Sequence, residues 1–484
     1  MVEGRGTTQL TMGIDWLLLS SSILGRFLSG LSSRIFMISL PSMAKGLETD
    51  ILGISWALIS FQLSVISLSI VFGRVGDLYG RKKIYTLGFV IVTVSSLLCG
   101  FSQNVLQLII FRALQGVGGA MVESVTRALA LDAMPEGAEG KASSIVTASF
   151  HLGFFIGPAI GGFIIDYLHW RGVFFALVPI GLAGIALSAV KSEGGSSAAK
   201  PLRGSIDYLG AALLVILTLM IVLLLDRKAA QAVGLGEKGW LALAFAGVLW
   251  GFLAHENRVS SPIMNLSLFR IRMFSFSSIS LLTLSTARGL VSFVIPFYLQ
   301  EILQISPSYM GMIFLAPPIL SIASAPLAGY LTDRIGPRVP ASIGVLFDLV
   351  SALIGISLRI DSHWFLPTLL LGLNGAATGF FNSANQAAII GSVPKEHRGF
   401  ASGIVRVGFD LGHMLGVSLG GLLLTLAFEY FSGISGQVAS AKNPLAFVSS
   451  MNVSFWGVAA LSGVAMMISL TRGTGTIRKP ASRA

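Results

Sequence analysis

Long apolar runs separated by short polar segments constrain the fold of this chain more than any other feature. About fourteen of them are long enough to cross a bilayer as a helix, which takes roughly 20 residues. They lie at residues 17–41, 52–73, 84–102, 105–130, 143–166, 173–190, 208–225, 239–254, 274–298, 309–330, 339–358, 365–390, 400–426 and 452–471. Of the 484 residues, 54% are hydrophobic and 11% are charged, which leaves too little polar surface for a soluble domain. The pattern predicts an all-α integral membrane protein.

The net charge of +11 does not indicate nucleic-acid binding, because the basic residues are distributed among short loops and form no single basic surface. Most of them lie in loops on the side of the two termini. By the positive-inside rule we expect both termini in the cytoplasm and a multi-pass protein of the cell membrane. The segment Met1–Met12 holds one basic residue, Arg5, so we expect the first helix to be retained. A single cysteine, Cys99, gives no disulfide framework and no metal-thiolate cluster.

Two loops with the same spacing indicate an internal duplication. The segment from Gly73 to Lys83 reads Gly-Arg-Val-Gly-Asp-Leu-Tyr-Gly-Arg-Lys-Lys between two apolar runs. Gly329 begins a second copy, Gly-Tyr-Leu-Thr-Asp-Arg-Ile-Gly-Pro-Arg, in which the distances from Gly to Asp and from Asp to Gly are the same. Repeated units of this kind are common in transporters. The duplication predicts two similar bundles of helices.

The repeated loop resembles the signature loop of the major facilitator superfamily, Gly-x-x-x-Asp-Arg-x-Gly-Arg-Arg. Leu78 departs from it, because the family usually has Arg there. The resemblance implies two pseudo-symmetric bundles and a latch that clamps them on the cytoplasmic side. The alternative is a positively charged turn without a gating role. The gating residues predicted in this way are Gly73, Asp77, Gly80, Arg81, Asp333 and Arg334.

The order of the runs is similar to the fourteen-helix drug:proton antiporter branch of that superfamily, with six crossings, two extra and six more. Short strings such as Pro296–Gln300 resemble the same branch. The resemblance implies an N-terminal bundle at 1–190, a cytoplasmic linker at 191–207, two extra helices at 208–256 and a C-terminal bundle at 257–484.

A glycine-rich pattern in the fifth run resembles the motif that exporters of the superfamily carry. Small residues at every fourth position form a flat helix face on which another helix can pack closely, and a proline adds a bend. The resemblance implies export, and the alternative is ordinary helix packing. The motif consists of Gly153, Gly157, Pro158, Gly161 and Gly162.

Ionisable residues inside the apolar runs are candidates for proton coupling, because charges at this depth are costly unless they have a function or a partner. Arg112 matches the family's buried-arginine motif, and Glu123 lies eleven residues later on almost the same helix face. The alternative is a local pair between Glu123 and Arg127. Asp410 and His413 are further candidates for proton coupling.

Asp410 lies four residues after Arg406, so a mutual ion pair is the expected arrangement for these two. His413 follows about one turn later with an imidazole that can exchange protons near neutral pH.

Two arginines predict an anion site. The related antiporters have an Asp at the position of Ser32, and here Arg34 follows it, seven residues before Pro41. Arg288 lies eight residues before Pro296 in the second bundle, which resembles the paired arginines of organophosphate antiporters. Guanidinium groups bind carboxylate and phosphate through a planar fork. The alternative is that each arginine pairs with an internal carboxylate, for which the candidates are Glu123, Asp348 and Asp410.

Asn382 and Asn385 in the twelfth run are candidates for substrate binding, with helix-to-helix hydrogen bonds as an equally good explanation.

Motifs for ATP hydrolysis, zinc binding or nucleophilic catalysis are missing from the sequence, which favours gradient-driven transport and no enzyme activity, cofactor or metal. We expect a monomeric secondary transporter that exports small organic compounds in exchange for protons. One alternative is an exporter or exchanger of organic anions or phosphate esters. An alternative from another class is a receptor or lipid-handling scaffold that does not transport.

Overall fold

The computed structural model describes residues 14–135, 139–190, 208–225, 238–259, 266–394, 397–433 and 443–473. Regular structure within these ranges is helical, with no strand. The predicted linker at 191–207 lies outside the described residues.

The N-terminal half consists of five helical elements that begin at polar capping residues or tight turns. Side-chain oxygens of Asp15, Asp50 and Asn104 accept hydrogen bonds from backbone N–H groups at three helix starts. The fifth element bends at His169, where φ is 65° and ψ is 164°, so it crosses the membrane twice. The elements are α1 Trp16–Gly46, α2 Ile51–Tyr79, α3 Arg81–Gly100, α4 Val105–Asp132 and α5 Glu139–Ala189.

Two apolar helices follow, α6 Tyr208–Leu225 and α7 Lys238–Glu256, which pack on each other and on α2 through Leu223, Leu241 and Trp56. The C-terminal half then consists of α8 Arg272–Phe297, α9 Pro307–Ile313, α10 Ala316–Ile335, α11 Arg338–Ser357, α12 Phe365–Gly391, α13 Arg398–Ser432 and α14 Pro444–Thr471. The short helix α9 leads into α10, so these two form one crossing.

Eleven helices among the described residues are long and apolar enough to cross a membrane. Counting α5 twice and adding the long helices α6 and α12 gives the fourteen crossings that the apolar runs predict. The all-α fold class is confirmed.

The buried apolar core is continuous at one end of the molecule and divided at the other. We call the end with the loop between α2 and α3 the loop end, and the opposite end the far end. At the far end one cluster includes Leu40 and Ile54 of the N-terminal half together with Phe293 and Phe428 of the C-terminal half. At the loop end the two halves have separate clusters. The halves therefore pack together at the far end and part towards the loop end.

Close backbone contacts hold the far end together. A Cβ placed on Gly162 would lie 2.1 Å from the carbonyl oxygen of Pro307, in the other half of the molecule. A Cβ on Gly311 would lie 2.4 Å from the carbonyl oxygen of Pro158. Polar contacts add to this packing, since Gln300 Nε2 donates to Ser42 Oγ at 2.7 Å.

The substitution Gly162→Ala is expected to destabilise the protein, because the added methyl group has no room against Pro307. Overpacking of this kind costs about 1–3 kcal/mol. Thermal unfolding of the purified protein should show a lower midpoint. Gly247→Ala is the matched control, because nothing lies within 4 Å of a Cβ at that position. Equal midpoints for the two variants would contradict the tight packing of the far end.

Candidate functional site

A cavity lies between the two halves, below the packed far end. It has an empty volume of about 590 Å³, open solvent at its mouth included. Its wall combines the rings of Phe36 and Phe61 with the polar side chains of Ser29, Ser33 and Gln62. Four charged residues complete it, and these are Arg112, Glu123, Arg406 and Asp410. The cavity is thus both aromatic and strongly polar.

A cluster of four charged side chains crosses this cavity from one half to the other. Glu123 on α4 forms an ion pair with Arg26 Nη1 on α1 at 3.6 Å and accepts from Arg406 Nη2 on α13 at 2.6 Å. Arg406 Nε also donates to Asp410 Oδ2, which is the local pair expected from their spacing. We call these four residues the bridge cluster. Burial strengthens such pairs because the surroundings screen charge less than water does.

Arg127 does not have the role that its spacing from Glu123 predicts. Arg127 is exposed, whereas the Glu123 side chain points inward to Arg26 and Arg406. The alternative of a local pair along α4 is therefore wrong for this conformation, since inward-facing partners on α1 and α13 are available.

Arg112 is 2% exposed and is held without an ion pair to Glu123. Its Nε donates to the carbonyl oxygen of Ala57 at 3.2 Å, and its Nη1 donates to Gln115 Oε1 at 2.5 Å. The guanidinium lies between the rings of Phe36 and Phe61, at 4.0 and 4.2 Å from their centroids. Cation–π contacts of this kind stabilise a charge in a dry site.

His413 joins the two halves through a chain of hydrogen bonds. Its Nδ1 lies 3.2 Å from Gln62 Nε2 on α2, and its Nε2 lies 3.0 Å from Ser292 Oγ on α8. The Ser292 hydroxyl donates to the carbonyl oxygen of Gly289 at 3.0 Å. Ser292 Oγ therefore accepts from Nε2–H, which leaves Nδ1 to accept from the Gln62 amide. This assignment follows from the network and corresponds to a neutral imidazole.

Arg288 is paired with a carboxylate, as the alternative to the anion site holds. Asp348 Oδ2 accepts from Arg288 Nε at 3.2 Å and from Nη2 at 2.8 Å. Asp348 Oδ1 accepts from Asn374 Nδ2 at 2.9 Å, and Arg288 Nη1 donates to Asn382 Oδ1 at 3.4 Å. The prediction that Arg288 and Arg34 bind one anion together is therefore corrected, because Asp348 already neutralises the charge of Arg288.

Asn385 also differs from its predicted role. It is fully buried, its Nδ2 donates to the Ser277 carbonyl oxygen at 3.0 Å, and its Oδ1 accepts from Arg472 Nη1 at 2.8 Å. Both ends of the amide are occupied by helix-to-helix contacts, so Asn385 has no free group for a substrate.

Arg34 on α1 has a different environment from the other intramembrane arginines. Its guanidinium lies 3.9 Å from the centroid of the Phe154 ring on α5, and its Nη1 donates to Met37 Sδ at 3.7 Å. No carboxylate among the described residues forms an ion pair with it. It is half-buried, so it combines an unpaired charge with access to space.

The predicted latch lies at the loop end. Arg81 Nη2 pairs with Asp77 Oδ1 at 2.9 Å, and its Nη1 pairs with Asp132 Oδ2 at 3.1 Å. Both carboxylates belong to the N-terminal half. In the second copy Arg334 lies over the ring of Tyr330 at 4.5 Å, and Asp333 is exposed.

The glycines of the predicted antiporter motif face two different neighbours. A Cβ on Gly153 would lie 2.2 Å from the carbonyl oxygen of Phe27, and Gly157 and Gly161 also face α1. Pro158 and Gly162 face α9 in the other half. The motif therefore packs α5 on α1 and closes the far end.

Sequence reasoning missed several partners in these networks, and three of them illustrate why. Gln62 and Ser292, which hold His413, and Arg472, which holds Asn385, are remote from their partners along the chain. Only Gln62 gave a signal in the sequence, because an amide inside an apolar run indicates a buried hydrogen bond. A serine in a helix is too common to indicate a particular partner.

Comparison with known proteins decides the family. A statistical model of the Major Facilitator Superfamily matches residues 22–287 and 277–483. The chain belongs to the Major Facilitator Superfamily. Riboflavin transporter RibZ of Clostridioides difficile (strain 630) is 27% identical over 460 residues, which cover 94% of this chain and 97% of that protein.

Two further relatives are named for drug resistance and export or for multidrug transport. The tetracenomycin C resistance and export protein of Streptomyces glaucescens is 28% identical over 416 residues, covering 85% of this chain and 76% of that protein. Multidrug transporter protein MdtP of Bacillus subtilis (strain 168) is 26% identical over 437 residues, covering 88% and 80%.

Solved structures of the Major Facilitator Superfamily type share the fold. Peptide transporter POT in complex with sulfate has a TM-score of 0.68 at 14% identity, over 94% of this chain and 93% of that one. A bacterial homologue of the human lysosomal transporter Spinster has a TM-score of 0.64 at 14% identity, over 94% and 97%. The chain is therefore a membrane transport protein of this superfamily.

The substitution Asp348→Asn is expected to lower the free energy of unfolding by about 3–5 kcal/mol, because it leaves the Arg288 charge buried without a counterion. Thermal unfolding of the purified protein measures the loss. Replacing both residues, with Arg288→Met and Asp348→Leu, should recover much of it, since no charge then remains. A single variant as stable as the native protein would show that the pair is not needed.

Proposed function

We propose that this protein is a secondary active transporter that exports small organic compounds from the cytoplasm in exchange for protons. The observation that carries the proposal is the bridge cluster, in which one carboxylate is shared by arginines of opposite halves. Glu123 pairs with Arg26 in its own half and with Arg406 in the other. A proton on this carboxylate would remove the charge that links the halves.

The cluster supports a simple coupling mechanism. While Glu123 is ionised, it holds Arg406 across the cavity. Protonation weakens that bond, and Arg406 keeps Asp410 as its partner in its own half. The relative position of the two halves then depends on whether a proton is bound, which is what exchange transport by alternating access requires. His413 contributes a second group whose protonation would break a contact between the halves, the bond that its Nδ1 accepts from Gln62.

The divided core supports the direction of access. The halves part towards the loop end, where both predicted cytoplasmic termini and most basic loops lie. A compound from the cytoplasm would reach the cavity in this conformation. Opening of the far end would require the contacts of Gly162 and Gly311 to separate while the loop end closes.

The relatives support a small organic substrate, because their names refer to riboflavin, to multiple drugs and to tetracenomycin C. In this proposal the two six-helix bundles at 1–190 and 257–484 move against each other, and the helices at 208–256 lie outside them. The protein acts as a monomer with both termini in the cytoplasm.

The substitution Glu123→Gln is expected to abolish proton exchange, because the amide keeps the shape of the side chain and cannot release a proton. Everted vesicles with an internal pH probe can be energised and then given a panel of drugs and dyes. The native protein should release protons from the vesicles when a transported compound is added, and Glu123→Gln should reduce this flux at least tenfold. Glu301→Gln, at the far end and outside the cavity, is the matched control. Undiminished flux in Glu123→Gln would overturn the coupling role.

The loop-end latch has its own test. Asp77→Asn should slow transport severalfold, since Arg81 would then keep only Asp132 as its partner. Asp77→Asn combined with Asp132→Asn should slow it further. Initial rates of efflux from the same vesicles measure the effect, and a normal rate in the double variant would remove the gating role.

A further inference from the structure

We propose that the compound exported by this protein is an organic anion whose acidic group binds Arg34 in the space between the two halves. This inference rests on the proposed function and specifies the chemical class of its substrate. It differs from the arrangement expected from the sequence, because Arg288 is not part of the site.

The intramembrane arginines outnumber the carboxylates that could neutralise them. Among the described helices, five arginines and three carboxylates lie well inside the apolar runs. Glu123 and Asp410 neutralise Arg26 and Arg406, and Asp348 neutralises Arg288. Two of these five arginines, Arg34 and Arg112, are left with no carboxylate among the described residues, so this set has a surplus of two positive charges. A further buried arginine without a carboxylate, Arg472, lies just past the end of α14 at the loop end, where Asn385 and the Pro337 carbonyl oxygen accept from it.

The two surplus arginines are not equivalent. Arg112 is almost fully buried, two of its nitrogens donate to protein oxygens, and two aromatic rings lie within 4.2 Å of its guanidinium carbon. Its surroundings already stabilise it. Arg34 has one ring on one face and a weak bond to a thioether sulfur.

The remaining donors of Arg34 have no partner among the described residues and are not sealed from solvent. Its Nε and Nη2 make no hydrogen bond to a described residue, and neither nitrogen is among the buried polar atoms that lack a partner. These two nitrogens form one edge of the guanidinium fork, which is the edge that binds a carboxylate or a phosphate through two bonds. The side chain therefore presents an unused anion-binding edge.

The neighbourhood of Arg34 favours negative charge. Phe154 covers one face of the guanidinium and holds its plane. Gly157 leaves room at the base of the side chain, since a Cβ there would lie 3.2 Å from Arg34 Cβ. In surroundings of low dielectric constant an unpaired cation attracts an anion strongly and repels a cation.

Export also suits an anion energetically. A cell interior is electrically negative, so a negative charge that leaves the cell moves down the membrane potential. Exchange for an incoming proton moves positive charge in the same favourable direction. A cationic substrate would lose this contribution and would have to approach Arg34 without a counterion.

Three dansyl compounds with one fluorophore and different charges test the proposal. Dansylglycine is an anion, dansylamide is neutral and dansylcadaverine is a cation at neutral pH. Fluorescence titration of purified native protein should give saturable binding of dansylglycine that is tighter than binding of the other two. Arg34→Gln should weaken dansylglycine binding about tenfold, the loss expected for a charge-assisted bond, and leave dansylamide unchanged. Arg34→Lys should keep most of the affinity for dansylglycine.

Arg127→Gln is the matched control, because it removes the same charge from an exposed position of the same half. It should bind all three compounds as the native protein does, and the thermal midpoint of each variant checks that the fold is intact. Preference of the native protein for dansylcadaverine, equal weakening of all three compounds by Arg34→Gln, or no saturable binding of dansylglycine would each overturn the proposal. Proton flux that fails in the vesicles, with Arg34-dependent dansylglycine binding intact, would instead refute the proposed function alone.

Discussion

The ion pair between Glu123 and Arg406 is the interaction on which the arrangement of this transporter depends. It joins side chains that are 283 residues apart in the sequence, at a distance of 2.6 Å. The Glu123 side chain is 13% exposed, so its charge is largely removed from water, and only close geometry and additional partners repay that cost, whereas Arg406 remains 42% exposed. Arg26 and Asp410 supply those partners, one from each half. The cluster is therefore stable as a set and sensitive to the loss of any one charge.

The two ends of the molecule are held by different forces. At the far end, helices approach until only glycine fits, so close packing of backbones supplies the attraction, as it does between helices in lipid generally. Because these contacts are spread over one packed surface, they break together when the two halves move apart. Towards the loop end, the bridge cluster replaces packing, so the contact between the halves there rests on a few charged side chains. One end is thus held by an extended packed surface and the other by a small number of ion pairs.

Local patterns predicted the parts of this structure that depend on local physics. Apolar runs of spanning length predicted the helices, because a backbone in lipid must satisfy its own hydrogen bonds. A spacing of four residues predicted the pair of Arg406 with Asp410, because those side chains share one helix face. The small-residue pattern predicted a packing face, and Gly153 lies against α1 as expected.

Partners across helices could not be predicted in the same way. Arg288 had three candidate carboxylates, and only the packing of α8 against α11 selects Asp348. For Asn385 a substrate contact and a helix-to-helix hydrogen bond were equally good predictions, because nothing in its own segment shows that Arg472 reaches it from the last helix. For Glu123 the sequence offered a relay with Arg112 or a local pair with Arg127, whereas its inward direction gives it Arg26 and Arg406. In each case the residue type predicted a buried polar contact, and the packing of the helices determines which residue is the partner.

An arginine left uncompensated inside a membrane protein has a consequence for how ligand binding and movement are linked. Arg112 is stabilised in any state that keeps Phe36 and Phe61 around it. The stabilisation of Arg34 is incomplete in the present state, because one edge of its guanidinium has no partner among the described residues. A ligand that supplies the missing charge changes the relative free energies of states that enclose Arg34 and states that leave it accessible to water. A ligand can shift a conformational equilibrium only through such a difference. The unpaired edge is thus a physical means by which an anion would favour closure around itself, which a neutral or cationic compound does not provide.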